Sequence, residues 1–579
     1  MRKFSRLFIV NSYVPKILLA AFIGLVTGCV AVVFRLALEW TSSLVQGTFT
    51  GWTLYLAPAV GGLVCGLFLF VLTRTPEASG QGTDRSIYAF HHHGGVLRKR
   101  VAPVKLVAST ITLGSGGSAG YEGPVSQIGS GIAGLICRLF RMPRAVRRQF
   151  GLAGMAAGLG AIFKAPLSGA LTSVEILYRE DFESSAFGTS IVASVVGFTV
   201  YSSVFGTAPT FSVPDFYFAN GVELFFCALL GLACVPLSFV YVKCYYAVED
   251  FFTRWKIPNW VKPAIGGALC GVVAIGFPQA MGGTWDYVES MTRLVRPEEA
   301  PSVIFLLGLV FAKILATSCT VGSGGSGGVF GPSLFLGGVI GAAFAIAVES
   351  VSPGTLREPG AMPLVGMGAF FAGAAKAPLA GVVMVCEMTG SYQLLPSIMI
   401  AAVVHVACSR KWSIYRSQVL NKFASPIHRM EMDPDLLRTI SVFAVMQKTP
   451  VLEISASRTF HEAEREINAF NMAHTDSANV HTYPVFEDGK YLGILDWSLA
   501  LQNIVSIEGA SNMLLVSDCI SRTPLLSANA DLHTAMKFML KHSLSEVYVK
   551  NSEGKIEGVL STAAILDTYD RVVRDSFKK

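Results

Sequence analysis

Residues 114–124 read GSGGSAGYEGP, and residues 322–332 read GSGGSGGVFGP. A chain that writes so glycine-rich a string twice, 208 positions apart (322 − 114), is built from related halves that each open the backbone at the same point. A second pair agrees. KAPLSGALTSVE at 164–175 returns as KAPLAGVVMVCE at 376–387, an offset of 212 (376 − 164). Two matches in one order and at nearly one offset indicate a duplicated half.

The surroundings of these strings fix the medium. Of the 579 residues, 52% are hydrophobic and only 15% charged, and the mean hydropathy is +0.52, too apolar for a soluble globular chain. Apolar stretches of spanning length recur at about 15–38, 52–73, 186–205, 220–243, 262–281, 302–318 and 392–408. The basic start, MRKFSRLFIV, runs into the first of them without a small-residue cleavage site, so it reads as an uncleaved cytoplasmic N-terminus. The eleven cysteines lie mostly within apolar segments and form no CxxC pair, which favours small core residues over a disulfide framework or a metal site. The net charge of +7 is modest, and the basic stretch from Cys137 to Phe150 reads as a cytoplasmic loop, with no nucleic-acid partner. His91, His92 and His93 point in different directions and have no acid or cysteine nearby, so a solvated loop is expected there.

After about residue 425 charges become frequent, and two units of one plan follow each other. Each has an extended stretch, an amphipathic helix, a strand, a turn (EDGK or SEGK) and a second strand entering a helix. The reading is a pathway domain at 1–425, with halves at about 15–205 and 220–415, and a cytoplasmic tail at 426–579, with modules at about 440–505 and 513–575.

Each glycine string ends in proline and opens a helix rich in small residues, so its amides and positive dipole end face the interior of the membrane unit. Helix N-termini attract anions, and irregular backbone at that depth is tolerable where it lines a cavity or packs on protein. No Lys or Arg occurs from Leu106 to Cys137 or from Ile314 to Leu356. Dipoles and hydroxyls without a full positive charge can attract an anion and still release it. A phosphate-binding loop is excluded, because Ala119 stands where the third glycine of GxGxxG belongs and no GK[ST] follows either copy.

These residues resemble the CLC family of chloride channels and proton-coupled chloride transporters. GYEGP at 120–124 is similar to the family's GxEGP segment, GVFGP at 328–332 to its GxFxP segment, and ASGQG at 78–82 to its GSGIP segment; KWSIYRSQVL carries Tyr415 at the family's pore tyrosine. The tail resembles a CBS-domain pair. The resemblance implies an all-α polytopic membrane protein with inverted repeats of broken helices, followed by a soluble α+β CBS pair. It implies a homodimer in the cell membrane with both termini cytoplasmic, no cofactor, and transport of chloride without enzymatic catalysis. It makes Glu122 the gate, a tethered anion that competes for the chloride position and is released by protonation. Ser79, Gly123, Val329, Phe330 and Tyr415 then supply the anion path. Phe330 closes the second half apolarly, and Glu175 and Glu387, at symmetric positions, take structural roles.

Departures from the pattern refine the expectation. The internal proton-accepting glutamate of coupled members is replaced by Ile176, which favours a passive chloride channel, with a chloride/proton antiporter as the alternative and a sodium-coupled symporter further off. Ser79 is retained although the family's proline and first glycine are not, and the resemblance then favours chloride over nitrate. In the tail, Leu499 and Ala564 stand where ribose-binding aspartates occur in nucleotide-holding CBS pairs, so nucleotide binding is left open and dimer stabilisation is the expected role.

Overall fold

The computed structural model describes residues 13–214, 216, 221–283, 285–293, 301–427, 434–448, 450–473, 482–497, 500, 514–542, 544–551 and 553–576. The chain forms two compact units, Met1–Met430 and Glu431–Lys579.

Among the described residues the first unit holds sixteen α-helices in two sets of eight. The first set is α1 Tyr13–Thr48, α2 Ala57–Gly66, α3 Gly82–His93, α4 Val101–Gly114, α5 Glu122–Leu139, α6 Arg144–Ile162, α7 Pro166–Glu175 and α8 Ser184–Phe205. The second set repeats the order: α9 Gly221–Arg254, α10 Lys262–Gly276, α11 Trp285–Thr292, α12 Val303–Gly322, α13 Phe330–Val351, α14 Met362–Ala375, α15 Pro378–Thr389 and α16 Leu395–Cys408. Six helical segments, including α1, α8, α9, α12 and α13, are long and apolar enough to cross a membrane; α4, α10, α15 and α16 are apolar but shorter. Proline in the first turn starts α2, α7, α10, α14, α15 and α16, where its missing N–H costs no helix bond. Lys164 and Lys376, which open the KAPL repeats, both adopt left-handed backbone (φ 54° and 58°) between helices.

The halves are bound by reciprocal contacts, the signature of a two-fold relation. Ser109 Oγ on α4 meets Ser326 Oγ at 2.8 Å, and the equivalent atoms exchanged between halves, Thr317 Oγ1 on α12 and Ser118 Oγ, meet at 3.0 Å. Lys105 Nζ donates to the carbonyls of Ala78 and Gly80, and Lys313 Nζ to those of Ala280 and Gly282. At the ends of α7 and α15 the carboxylates cross over. Glu175 accepts from the Leu379 and Ala380 amides that start α15 (3.0 and 2.7 Å), while Glu387 accepts from the Leu167 and Ser168 amides that start α7 (3.0 and 2.7 Å). Each acid thus caps the helix of the opposite half, where an anion also meets the positive dipole end. Glu175→Ala should lower the unfolding midpoint in detergent by an amount equivalent to about 1–3 kcal/mol, because it strands two helix-start amides, that of Ala380 buried; an unchanged midpoint would contradict the clasp.

The sequence expectation differs from the structure in two local places. The histidine run is the last turn of α3, and His91 is buried, its ring nitrogens 2.8 Å from Ser425 Oγ and 3.1 Å from the Leu177 carbonyl. The helix continues because the apolar Ile87 and Phe90 anchor that face in the core. The basic stretch 137–150 is not one loop: α5 runs to Leu139, four residues turn, and α6 begins at Arg144. Most cysteines are buried, with Cys29 and Cys408 exposed.

The second unit has one sheet in the order β1-β2-β3-β4 (Ile454–Ser455, Thr482–Glu487, Lys490–Asp496, Ile520–Ser521) and another in the order β5-β6-β7 (Leu526–Ser527, Glu546–Lys550, Ile556–Ser561). The EDGK turn places Asp488 and Gly489 at φ 47° and 73°, as a tight hairpin requires. The leading segments change partners. Val442 N–H donates to Ala530 O and Gln447 pairs with Val559, while Phe460 N–H donates to Leu514 O and Val516 N–H to Arg458 O. The apolar cores follow this exchange, with Val442 and Met446 packed among Leu526, Leu532 and Val549, and Val516 among Ile454, Phe460 and Val485.

Candidate functional site

The two glycine strings meet face to face. Gly120 N–H donates to Gly328 O (2.8 Å), and Gly123 lies so close to Gly328 that a Cβ on it would stand 2.7 Å from the Gly328 Cα. The turn that carries Ser79 joins them: Gly80 N–H donates to Gly325 O and Gly82 N–H to Gly327 O. From the same turn, Gln81 Nε2 donates to Ile414 O, next to Tyr415. Backbone pairing therefore brings together three stretches far apart in sequence, the Gln81 side chain adds a fourth, and glycine is what permits the backbone approach.

Glu122 is the first residue of α5 and is fully buried. Its side chain bends across to the opposite half, where Oε2 accepts from the Gly331 amide (3.1 Å) in the first turn of α13; Oε1 has no partner among the described residues. The carboxylate lies against two glycines. A Cβ on Gly120 would stand 1.9 Å from Oε2, and one on Gly331 would stand 2.5 Å from Oε1. A carboxylate on an amide at the positive end of a helix is held chiefly as an anion, and protonation weakens that hold.

The other sequence-predicted residues surround this point. Val329 immediately precedes α13, and its carbonyl accepts from Tyr241 OH (2.8 Å). Phe330, the first residue of α13, is buried between the rings of Phe371 and Phe163, with centroids 4.0 and 5.3 Å away. Tyr415 is fully buried, with Thr83 beside its hydroxyl. The Ser79 hydroxyl donates back to Pro76 O (2.7 Å) within its own turn. Ile176 follows the end of α7 and is buried; its carbonyl accepts from Gln418 Nε2, which also donates to Tyr178 O and Ala375 O. Glu175 cannot replace an acid at that place, since both its oxygens cap α15.

Three features were missed in the sequence. The amide that holds Glu122 belongs to Gly331, one residue beyond the expected Phe330. Tyr241, on α9, reaches the second string through Val329. Lys105 and Lys313 are buried immediately before the stretches that lack basic residues, and each fixes a turn by two carbonyls. The signal for the turns was present: PEASG at 76–80 is repeated as PQAMG at 278–282, which places Met281 opposite Ser79.

The family described as "Voltage gated chloride channel" matches residues 65–410, and the CBS domain family matches residues 516–571. The "H(+)/Cl(-) exchange transporter ClcA" of Citrobacter koseri is 34% identical over 396 residues, 66% of this chain and 82% of that protein; the ClcA of Salmonella paratyphi B is 34% identical over 398 residues, with 66% and 82% covered. Among solved structures, a slow cyanobacterial Cl-/H+ antiporter superposes with a TM-score of 0.59 at 27% identity, covering 69% of this chain and 96% of the other. A eukaryotic CLC transporter shares the fold with a TM-score of 0.59 at 18% identity, covering 94% and 97%.

Proposed function

The chain belongs to the voltage-gated chloride channel family, and from that premise we propose that it exchanges chloride for protons across a membrane, with Glu122 serving both ions. The observation that carries the reading is the Glu122 carboxylate on the Gly331 amide: an anion of the protein occupies the helix start where a free anion would be held. Protonation releases the side chain and leaves the amide to its competitor, chloride, so each visit of one ion prepares the site for the other. Gly123, Val329 and Phe330 frame this position, and Ser79 and Tyr415 carry hydroxyls beyond it on the inner side; that of Ser79 has to leave the Pro76 carbonyl to donate to an anion. The Tyr415 hydroxyl, buried beside Thr83, suits an anion that it would meet as a donor.

The exchanger reading is supported by relatives and a solved structure whose names state proton coupling. It departs from the passive-channel expectation drawn from Ile176. That second reading keeps one specific observation in its favour, a buried alkyl side chain where an internal acid would receive protons. Under exchange, water or another group has to refill Glu122 from inside. Family membership gives sodium-coupled symport no support.

Assembly as a homodimer with cytoplasmic termini is proposed from the same family premise, and a particle mass of one chain in detergent would contradict it. The tail, by the same premise, is a CBS pair with its first module at about 440–505. Leu499 lies outside the described residues and Ala564 opens the last helix; with no aspartate at either position, dimer stabilisation is favoured over nucleotide binding.

Purified protein in chloride-loaded, sodium-free vesicles should release chloride and take up protons against their gradient as it does so. Chloride release no faster than from empty vesicles would overturn chloride transport; release without proton uptake would leave the passive channel.

A further inference from the structure

Arg35 is a cation within a long membrane-spanning helix, and such a charge calls for a functional account. Its place follows from helix packing. A Cβ on Gly24 would stand 2.5 Å from Ala193 O, and one on Gly28 would stand 2.9 Å from Gly197 O, so α1 and α8 run side by side at a constant offset of 169 (193 − 24 and 197 − 28). That register brings Arg35 level with Val204 at the end of α8. Further along α1, Thr41 touches Gly114, where the first glycine string begins. Tyr121, the residue immediately before Glu122, lies within electrostatic reach of the Arg35 guanidinium, as does Tyr201.

A second cation approaches from the other side. Tyr121 packs on Phe163 (ring centroids 6.4 Å apart), and the next residue, Lys164, extends Nζ to Phe205 O and Ala208 O at 3.0 and 3.2 Å. Lys164 lies within electrostatic reach of Arg35. Among the described residues, the one carboxylate bonded to the pair is Glu39, which accepts from Arg35 Nε at 2.6 Å. The terminal guanidinium nitrogens have no partner among the described residues, and the Arg35 side chain is 40% exposed. Lys164 is held by two carbonyls and Arg35 by one carboxylate through a single nitrogen, so the charge left beside the residue that leads into the gate is chiefly that of the Arg35 guanidinium.

We propose that Arg35, with Lys164 behind it, is a capture site for small monovalent anions at the mouth of the Glu122 gate, resting on the chloride-transport reading above. Inside the path, the lysine charges are turned onto turn carbonyls and an anion meets mainly dipoles. At the mouth, a partly solvated charge raises the local anion concentration and speeds loading while screening by water keeps release fast. Arg35 therefore acts on loading, and the turnover step remains with Glu122.

The test measures initial chloride flux against chloride concentration in vesicles carrying wild-type protein, Arg35→Gln or Arg35→Lys. Arg35→Gln should raise the half-saturating chloride concentration about fivefold, the effect of one unit charge at contact distance in water, with the maximal rate unchanged. Arg35→Lys should restore most of the difference, and the wild-type value should rise with an impermeant salt while that of Arg35→Gln stays flat. If Arg35→Gln matches wild type in half-saturation, or only the maximal rate falls, the capture site is wrong and Arg35 merely anchors α1 at the water boundary. Should Arg35→Gln fail to fold, wild-type half-saturation that does not respond to ionic strength overturns the proposal by itself. Wild-type protein without chloride flux would instead overturn the functional reading on which the site depends.

Discussion

Glu122→Gln should raise chloride flux at neutral pH by about fivefold, remove most of its activation by acid and abolish proton movement. The substitution keeps the shape of the side chain, and its amide oxygen can still accept from Gly331 N–H. What it loses is the charge-assisted part of that bond, a difference of about 1 kcal/mol between a charged and a neutral acceptor. A weaker tether leaves the amide more often, and a carboxamide side chain neither takes up nor gives up a proton at physiological pH. Flux in the Gln variant with the pH dependence of wild type would remove Glu122 from the gate.

Gly331→Ala should do the opposite, cutting chloride flux by about tenfold or more, with no recovery in acid and none in combination with Glu122→Gln. The added Cβ would stand 2.5 Å from Oε1 and 3.0 Å from the Glu122 carboxyl carbon, the place the gate occupies. A chloride bound to the same amide meets the same obstruction, and overpacking of this kind costs about 1–3 kcal/mol. The helix itself is expected to tolerate the change, because residue 331 lies within α13 and alanine is a better helix former than glycine. Flux measured beside circular dichroism separates the cases. A fast, pH-independent Gly331→Ala variant would mean that the carboxylate uses this amide and the anion does not.

The two substitutions also mark what was legible in the sequence. The glycine strings announced themselves because close backbone approach restricts the residue type at many consecutive positions, so duplication survives as text. The identity of the amide that holds Glu122 did not, since a side-chain torsion decides whether the carboxylate meets residue 330 or 331 and no sequence pattern encodes it. The crossing of Glu175 and Glu387 was legible only as symmetry; that each acid caps the other half's helix depends on how the halves meet. Lys105 and Lys313 are marked in the sequence only as the residues immediately before two runs without basic residues; that each holds a turn depends on the fold. In the tail, tandem reading assigns every segment to its sequence neighbour. The exchanged leading segments at 442–447 and 514–516 are non-local contacts that local periodicity cannot reveal. Ile176 is the opposite case: one missing acid does not decide between channel and exchanger, because water or a group elsewhere in the fold can also carry protons.

Exchange through Glu122 is tested most directly by the reversal potential of reconstituted protein at a fixed chloride gradient while the pH on one side is varied. A protein that ties proton movement to chloride movement should show a reversal potential that shifts with the pH difference, and the shift should vanish in Glu122→Gln. A wild-type reversal potential that follows the chloride gradient alone at every pH would contradict the account and make the protein a passive channel.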